Sequence, residues 1–206
     1  KCVRNDYEAP VQIRDLKHIA AEKGYDEVIE TIHPPETRRE KQVAVIGAGP
    51  AGISAGYFLA REGFQVTVFD KMDRPGGMVA HGIPDFRYPE GTVEKDVELA
   101  RRVGVQFEMN CNPELDIPAL KEAGFDYIVI AIGAWKSRML SIEGDREKVR
   151  GAIDFLHTFK KDPNSLDLGA NVVVIGGGNS AMDSARAAKR VPGVESVSIL
   201  YRRTIK

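Results

Sequence analysis

Two short glycine runs carry most of the chemistry that this sequence offers. The first, Gly47, Gly49 and Gly52, follows the apolar run Val43-Ala44-Val45-Ile46 and opens a stretch with helical periodicity. The second, Gly176, Gly178 and Ala181, follows Val172-Val173-Val174-Ile175 and leads into a second such stretch. A G-x-G-x-x-G/A run between strand and helix suits a dinucleotide. Its first glycine allows the tight turn, its second lets backbone approach a pyrophosphate, and its third lets helix and strand pack closely. The diphosphate would rest on unpaired N–H groups at the helix start, helped by the positive end of the helix dipole. The strand after each run ends in charged residues of opposite sign. Asp70 stands 18 residues beyond Gly52, where a carboxylate can accept hydrogen bonds from both ribose hydroxyls. The second copy ends in Tyr201-Arg202-Arg203, with no carboxylate in the place of Asp70. A free 2′-hydroxyl favours an acid there and a 2′-phosphate favours arginine. Two guanidinium groups offer forked, charge-assisted hydrogen bonds, so Arg202 and Arg203 favour NADPH over NADH. The plainer alternatives are a tight strand–helix turn with no ligand and a solvated basic strand end.

Two unlike dinucleotide sites imply an electron relay: a resident redox cofactor at the first and a diffusible hydride donor at the second. Cofactors carry such chemistry while the protein sets distance and orientation, so no catalytic acid–base pair is expected. The elements that must position these residues follow from periodicity. Strand, glycine turn, helix and strand over Val43 to Asp70 form a βαβ unit. The same pattern returns over Val172 to Tyr201, so the chain holds an internal repeat. Between the copies, residues 74–91 read as a long Gly- and Pro-rich loop, and 92–103 as a helix with Val93, Val97 and Ala100 inward. Val105 to Met109 alternates like a strand, a short helix spans about 117–123, and Tyr127 to Ile132 is an apolar strand ending at Gly133. Residues 151–160 read as helix. Upstream, Ile13, Leu16, Ile19 and Ala20 predict a helix over 10–24 that stops at Gly24, followed by a charged, Pro-containing linker over 33–42.

Composition sets the background. The chain has 206 residues, 43% hydrophobic and 29% charged, which is ordinary for a globular protein. A chain of this length can bury roughly 70% of its unfolded surface. A net charge of −1 argues against nucleic acid or an anionic membrane as the main partner. The longest apolar run, Tyr127 to Trp135, falls far short of the roughly 20 residues of a bilayer span, so no membrane insertion is expected. With a polar N-terminus and two cysteines, Cys2 and Cys111, the expectation is a cytoplasmic protein and not a disulfide scaffold. The chain begins without methionine and ends shortly after the basic pair, so it reads as a piece of something longer.

Taken together, Val45-Ile46-Gly47-Ala48-Gly49-Pro50-Ala51-Gly52, Gly76-Gly77, Gly82-Ile83-Pro84, Gly176-Gly177-Gly178-Asn179-Ser180-Ala181-Met182-Asp183 and Tyr201-Arg202-Arg203 resemble the glutamate synthase small-subunit family. That group includes the N-terminal part of dihydropyrimidine dehydrogenase. The opening Lys1-Cys2-Val3-Arg4-Asn5-Asp6-Tyr7 is most similar to the selenate reductase flavin/iron–sulfur subunit branch. The resemblance implies an α/β fold, with a FAD-binding Rossmann-like domain built on a parallel sheet plus the start of a second, NADPH-binding Rossmann unit. It divides the chain into an N-terminal helical segment and linker (1–40), an incomplete FAD-binding domain (41–160) and a truncated first βαβ of the NADPH domain (161–206).

By that resemblance, FAD would be held by Gly47, Gly49, Pro50, Ala51, Gly52, Asp70 and Lys71, with Gly77, Met78 and Ile83 along the flavin. Arg87 would meet a FAD phosphate, and Gly133 would sit where a strand end passes the cofactor. NADPH would be held by Gly176, Gly178, Asn179, Ser180, Ala181, Arg202 and Arg203. The family commonly has Glu where Asp70 stands and Thr where Ile132 stands. Asp keeps the carboxylate but shortens its reach, and Ile132 removes a hydroxyl. Cys2 matches the last cysteine of an N-terminal cluster motif. A cluster needs four thiolates or substitutes, so iron–sulfur clusters are expected only in the full-length protein. The implied partners are NADPH and an iron–sulfur domain or subunit of the intact enzyme.

The implied function is an NADPH-dependent, FAD-containing oxidoreductase passing electrons to iron–sulfur centres of a larger enzyme. The piece at hand is expected to bind NADPH weakly. The alternative is a non-catalytic flavin-binding or assembly module. A disulfide reductase of similar fold would need a Cys-x-x-Cys pair, which this sequence does not contain. His81 reads either as a residue over the flavin or as polar loop surface, and Trp135 as packed on the cofactor or on the core.

Overall fold

The computed structural model describes residues 2–111, 116–141 and 143–203. Residues 1 and 204–206, at the ends of the first and last expected domains, lie outside the described residues. Val43, Ala44 and Val45 of β1 (Gln42–Ile46) are buried. A short apolar run of this kind needs a paired strand on each side and cover on each face. β1 lies between β2 (Gln65–Phe69) and β4 (Tyr127–Ile130), and β3 (Gln106–Glu108) flanks β2. All the pairings are parallel. α2 (Pro50–Arg61) carries the chain from β1 to β2 and buries Gly52, Ile53, Gly56 and Ala60. α4 (Thr92–Arg102) packs beside it and buries Val93, Val97 and Ala100, the expected inward set. Each buried side chain of valine size contributes roughly 1.5–3 kcal/mol, and this cluster, with Val66, Val68, Val103 and Val105, is the main core.

A smaller sheet pairs β5 (Asn171–Ile175) with β6 (Ser196–Leu200), again parallel, joined through α7 (Asn179–Ala188). α5 (Ile117–Glu122) leads into β4, and α6 (Ala152–Lys161) packs along α7. Phe155 and Leu156 of α6 join Leu166, Ala187, Ala188 and Val191 in a second core cluster. The architecture is therefore α/β, a four-stranded parallel sheet plus a second, two-stranded parallel sheet.

Three expectations are corrected. The N-terminal helix is α1 (Ile13–Thr31), which runs through Gly24 instead of stopping there. One interior glycine costs only about 1 kcal/mol relative to alanine, and the continued helix lets the Tyr25 hydroxyl donate to Lys95 O at 3.1 Å. The stripe Ile13, Leu16, Ile19 and Ala20 along it is exposed. The loop over 74–91 contains a single helical turn, α3 (Gly77–His81). The strand expected to reach Ile132 stops at Ile130, because β1 bends away at Gly47 just after Ala131 N–H donates to Ile46 O at 2.8 Å. Among the described residues, no helix is long and apolar enough to cross a membrane.

Candidate dinucleotide sites

The first glycine turn lies where β1, β2 and β4 end together. Gly47 N–H donates to Phe69 O at 2.7 Å, and the residue takes φ +109°. A Cβ there would meet Ala131 O at 2.3 Å, so steric crowding and backbone angle both exclude other residues. A Cβ on Gly52 would lie 1.8 Å from Gly47 O, which is how closely α2 approaches the turn. Gly49 caps α2 without a side-chain bond, Pro50 has no N–H, and Ile53 N–H donates to Gly49 O at 2.9 Å. The amides of Ala51 and Gly52 therefore stand at the helix start with no helical partner.

Asp70 follows β2 directly. Its Oδ2 accepts from Ala48 N–H at 2.6 Å, and its Oδ1 accepts from Met72 N–H at 2.9 Å. Each bond occupies one of about four lone-pair sites on the carboxylate, so acceptor capacity remains. Lys71, next to it, is exposed.

Gly76 and Gly77 close over the turn. Gly76 N–H donates to Ala48 O at 2.7 Å, and a Cβ on Gly77 would come within 2.7 Å of Gly49 Cα. Met78 O accepts from both Gly82 and Ile83 N–H, at 2.9 and 3.0 Å, which winds the chain from α3 into the Gly82-Ile83-Pro84 segment. Gly133 lies three residues beyond β4, exposed, in the left-handed region at φ +67°. Arg87 is already paired: its Nη1 donates to Asp183 Oδ1 of α7 at 2.7 Å.

The second turn repeats the first with altered parts. Gly176 N–H donates to Leu200 O at 2.9 Å, as Gly47 does to Phe69 O. Gly178 caps α7, and Met182 N–H donates to Gly178 O at 3.0 Å. Asn179, Ser180 and Ala181 thus leave three amides without a helical partner, against two in the first turn. The pairing Ile175↔Leu200 matches Ile46↔Phe69, so Tyr201 holds the place of Asp70. Its ring lies 2.7 Å from where a Cβ on Gly177 would stand. Arg202 and Arg203 follow, both exposed.

Sequence reasoning passed over four side chains near these turns. Tyr201 and Asp183 stand inside quoted motifs without an assigned role, and only the strand register and a 96-residue contact reveal one. Lys160 and His157 lie on α6, where nothing in the periodicity sets them apart from a solvated face. His81 is buried, and its Nε2 lies 2.9 Å from Arg74 O, so that nitrogen carries the hydrogen. His157 Nδ1 donates to His81 O at 3.0 Å. The Trp135 ring packs against both imidazoles, with centroids 6.4 Å from His81 and 5.7 Å from His157. His81 is thus an interior peg and not loop surface.

The thiols take no part in this geometry. Cys111 Sγ donates to Glu108 O at 2.9 Å, and burial pushes its pKa up, the opposite of what a reactive thiolate needs. Both cysteines are free. No cluster of His, Cys, Asp or Glu able to hold a metal occurs among the described residues.

The profile of the pyridine nucleotide-disulphide oxidoreductase family matches residues 41–205. YgfK of Escherichia coli strain K12, an oxidoreductase by name, is 46% identical over 206 residues, all of this chain but 20% of that protein. The glutamate synthase [NADPH] small chain of Bacillus subtilis strain 168 is 36% identical over 192 residues, 87% of this chain and 39% of that one. The chain thus spans between a fifth and two fifths of these relatives. Among solved structures, Mycobacterium tuberculosis FprA in complex with NADPH superimposes with a TM-score of 0.66 at 26% identity, covering 80% of this chain and 44% of that one.

Proposed function

This chain belongs to the pyridine nucleotide-disulphide oxidoreductase family, and from that premise we propose that it is the electron-input module of a larger enzyme, with FAD at the first glycine turn and NADPH at the second. The observation that carries the proposal is the unlike pair of turns. One is tied to a carboxylate at Asp70, and the other is followed by Tyr201, Arg202 and Arg203 in the same register. The residues present fit both groups. At the first turn, a Cβ at Gly47, Gly52 or Gly77 would strike backbone, so the main chain packs closely there, while the space a Cβ would take at Gly49 has its nearest neighbour 3.8 Å away, room through which a diphosphate can approach. Ala51 and Gly52 offer free amides there, and Pro50 sets the helix start. Gly49, Lys71, Met78, Ile83, Arg87 and Gly133 complete the proposed flavin set. At the second turn, Asn179, Ser180 and Ala181 offer amides beside Gly176 and Gly178, and Arg202 with Arg203 would take a 2′-phosphate.

When bound, the two cofactors supply hydride exchange and its onward release as single electrons. The protein's part is to bind, orient and hold apart. Asp70 holds the turn in shape through Ala48 while keeping lone pairs for a ribose. The chain contains no Cys-x-x-Cys pair, so a disulfide relay is not part of the proposal. In the longer protein we place iron–sulfur centres as the next electron carriers, as in the selenate reductase flavin/iron–sulfur branch. The division into a flavin unit over 41–160 and a nicotinamide unit from 161 belongs to the same proposal. Packing of Phe155 and Leu156 into the second cluster makes α6 a wall shared by both units.

The test is optical. The full-length protein should be yellow with stoichiometric FAD, and NADPH should bleach it anaerobically faster than NADH. A yellow protein that neither nucleotide bleaches is a flavin-binding assembly module instead.

A further inference from the structure

The segment from His81 to Arg87 is gripped at both ends. At its near end, α3 hangs on the first turn through the Gly76–Ala48 bond and the Gly77–Gly49 contact. At its far end it is fastened to α6 and α7. His157 donates to His81 O at 3.0 Å. Lys160 Nζ donates to Ile83 O and pairs with Asp85 Oδ1, both at 2.8 Å. Arg87 pairs with Asp183 at 2.7 Å, and the guanidinium groups of Arg186 and Arg190 lie over the Phe86 ring, 4.6 and 4.4 Å from its centroid.

Two of these fastenings are buried charges. The side chains of Lys160 and Asp183 are each only 8% exposed. A buried charge is costly unless paired, and removing its partner is costlier still. Neither residue belongs to the proposed cofactor sets. Asp183 stands one turn along α7 from Asn179, the residue that opens the second site. A continuous run of contacts therefore links the first glycine turn, α3, the 82–87 segment, α7 and the second glycine turn.

We propose that Lys160 and Asp183 are positioning residues that bolt the flavin-side segment to α6 and α7 and so fix the separation of the two crevices. The proposal rests on the two-site reading above. Hydride exchange needs reacting atoms about 3–3.5 Å apart, and a misplacement of 1 Å arising far from the chemistry can cost about 100-fold in rate. A device that holds two crevices in register should therefore act on rate and leave affinity alone.

The experiment uses the full-length flavoprotein and the variants D183N, K160M and K160R. It measures flavin content, NADPH dissociation constant, and anaerobic bleaching by NADPH and by dithionite. In D183N and K160M, NADPH bleaching should slow about 10- to 100-fold. Flavin content, NADPH affinity within about twofold and dithionite bleaching should be kept. K160R retains a cation that can donate to Ile83, so it should recover most of the rate. Unchanged NADPH bleaching in both D183N and K160M overturns the proposal. So does a parallel loss of flavin and NADPH affinity that K160R does not rescue, since the contacts would then merely hold the fold. If the parent protein does not bleach with NADPH, the two-site reading itself fails, a result distinct from either of these.

Discussion

The two glycine turns share a backbone plan and differ in how tightly it is held. In the first, a Cβ on Gly52 would lie 1.8 Å from Gly47 O; in the second, Ala181 occupies the corresponding slot and its Cβ stands 3.3 Å from where one on Gly176 would be. The first turn is tied by a carboxylate to its own backbone, whereas the second meets the edge of the Tyr201 ring at Gly177. β1 is buried along its middle, while β5 leaves Val173 63% exposed. A motif thus specifies where a turn occurs. The residues around it decide whether the turn is a rigid seat or a looser, adaptable one. That division suits a permanently held cofactor at one site and an exchanging one at the other.

Swapping the turns' residues is the strongest way to break this contrast. Gly52→Ala should force α2 away from the turn, abolishing flavin retention and destabilising the protein by about 3 kcal/mol or more, as read by absorbance and thermal unfolding. The mirror change, Ala181→Gly, should cost only about 1 kcal/mol, the helix-propensity difference. Equal effects from the two would erase the distinction.

Next in size is Asp70→Ala. It strips the acceptor from two amides, each such charge-assisted bond contributing about 1.5–3 kcal/mol. Flavin affinity measured by titration should fall at least about tenfold. Replacing both Arg202 and Arg203 by Gln should weaken NADPH binding about 10- to 100-fold while leaving NADH binding and flavin content unchanged. Comparable losses for both nucleotides would show that the arginines do not read a 2′-phosphate.

Smaller still is Gly177→Ala. The Tyr201 ring is partly exposed and can swing aside, so the cost should be about 1 kcal/mol and should vanish in the G177A/Y201A double variant. The least effect concerns pH. Asp126 accepts from Lys41 and from Gln42 N–H, which hold its carboxyl below the usual range, while the same pairing raises Lys41. Stability from Asp126 is present above its unfolded pKa and is lost as pH falls through the lowered folded value. Stability from Lys41 is lost as pH rises through its raised value. Both groups are solvent-exposed, so Asp126→Asn should be only slightly less stable than the parent near neutral pH, and thermal unfolding followed against pH should show that difference vanish as pH falls through the lowered Asp126 value and shrink as pH rises through the raised Lys41 value.

Much of the molecule was visible in local pattern. Apolar tetrads located β1 and β5, and Val93, Val97 and Ala100 located the buried face of α4. Local pattern erred at α1, where Gly24 looked like a stop, while the helical spacing of Ile13, Leu16 and Ile19 located a helix whose apolar stripe is exposed. A helix stripe says only that a face is apolar, and whether anything covers it depends on distant chain. The family resemblance assigns Arg87 to a phosphate, and only the fold shows that Asp183, 96 residues away, already holds that guanidinium.

Residue type and spacing sufficed for the strand–turn–helix units, the glycine slots and the opposite charges at the strand ends. These depend on forces acting within a few residues: backbone sterics, periodic burial and helix-start amides. Folding alone decided that Tyr201 takes the place of Asp70, that His81 is interior, and that Lys160 and Asp183 are buried charges clamping the 82–87 segment. Those outcomes come from contacts between segments tens of residues apart, whose geometry exists only once both core clusters have packed.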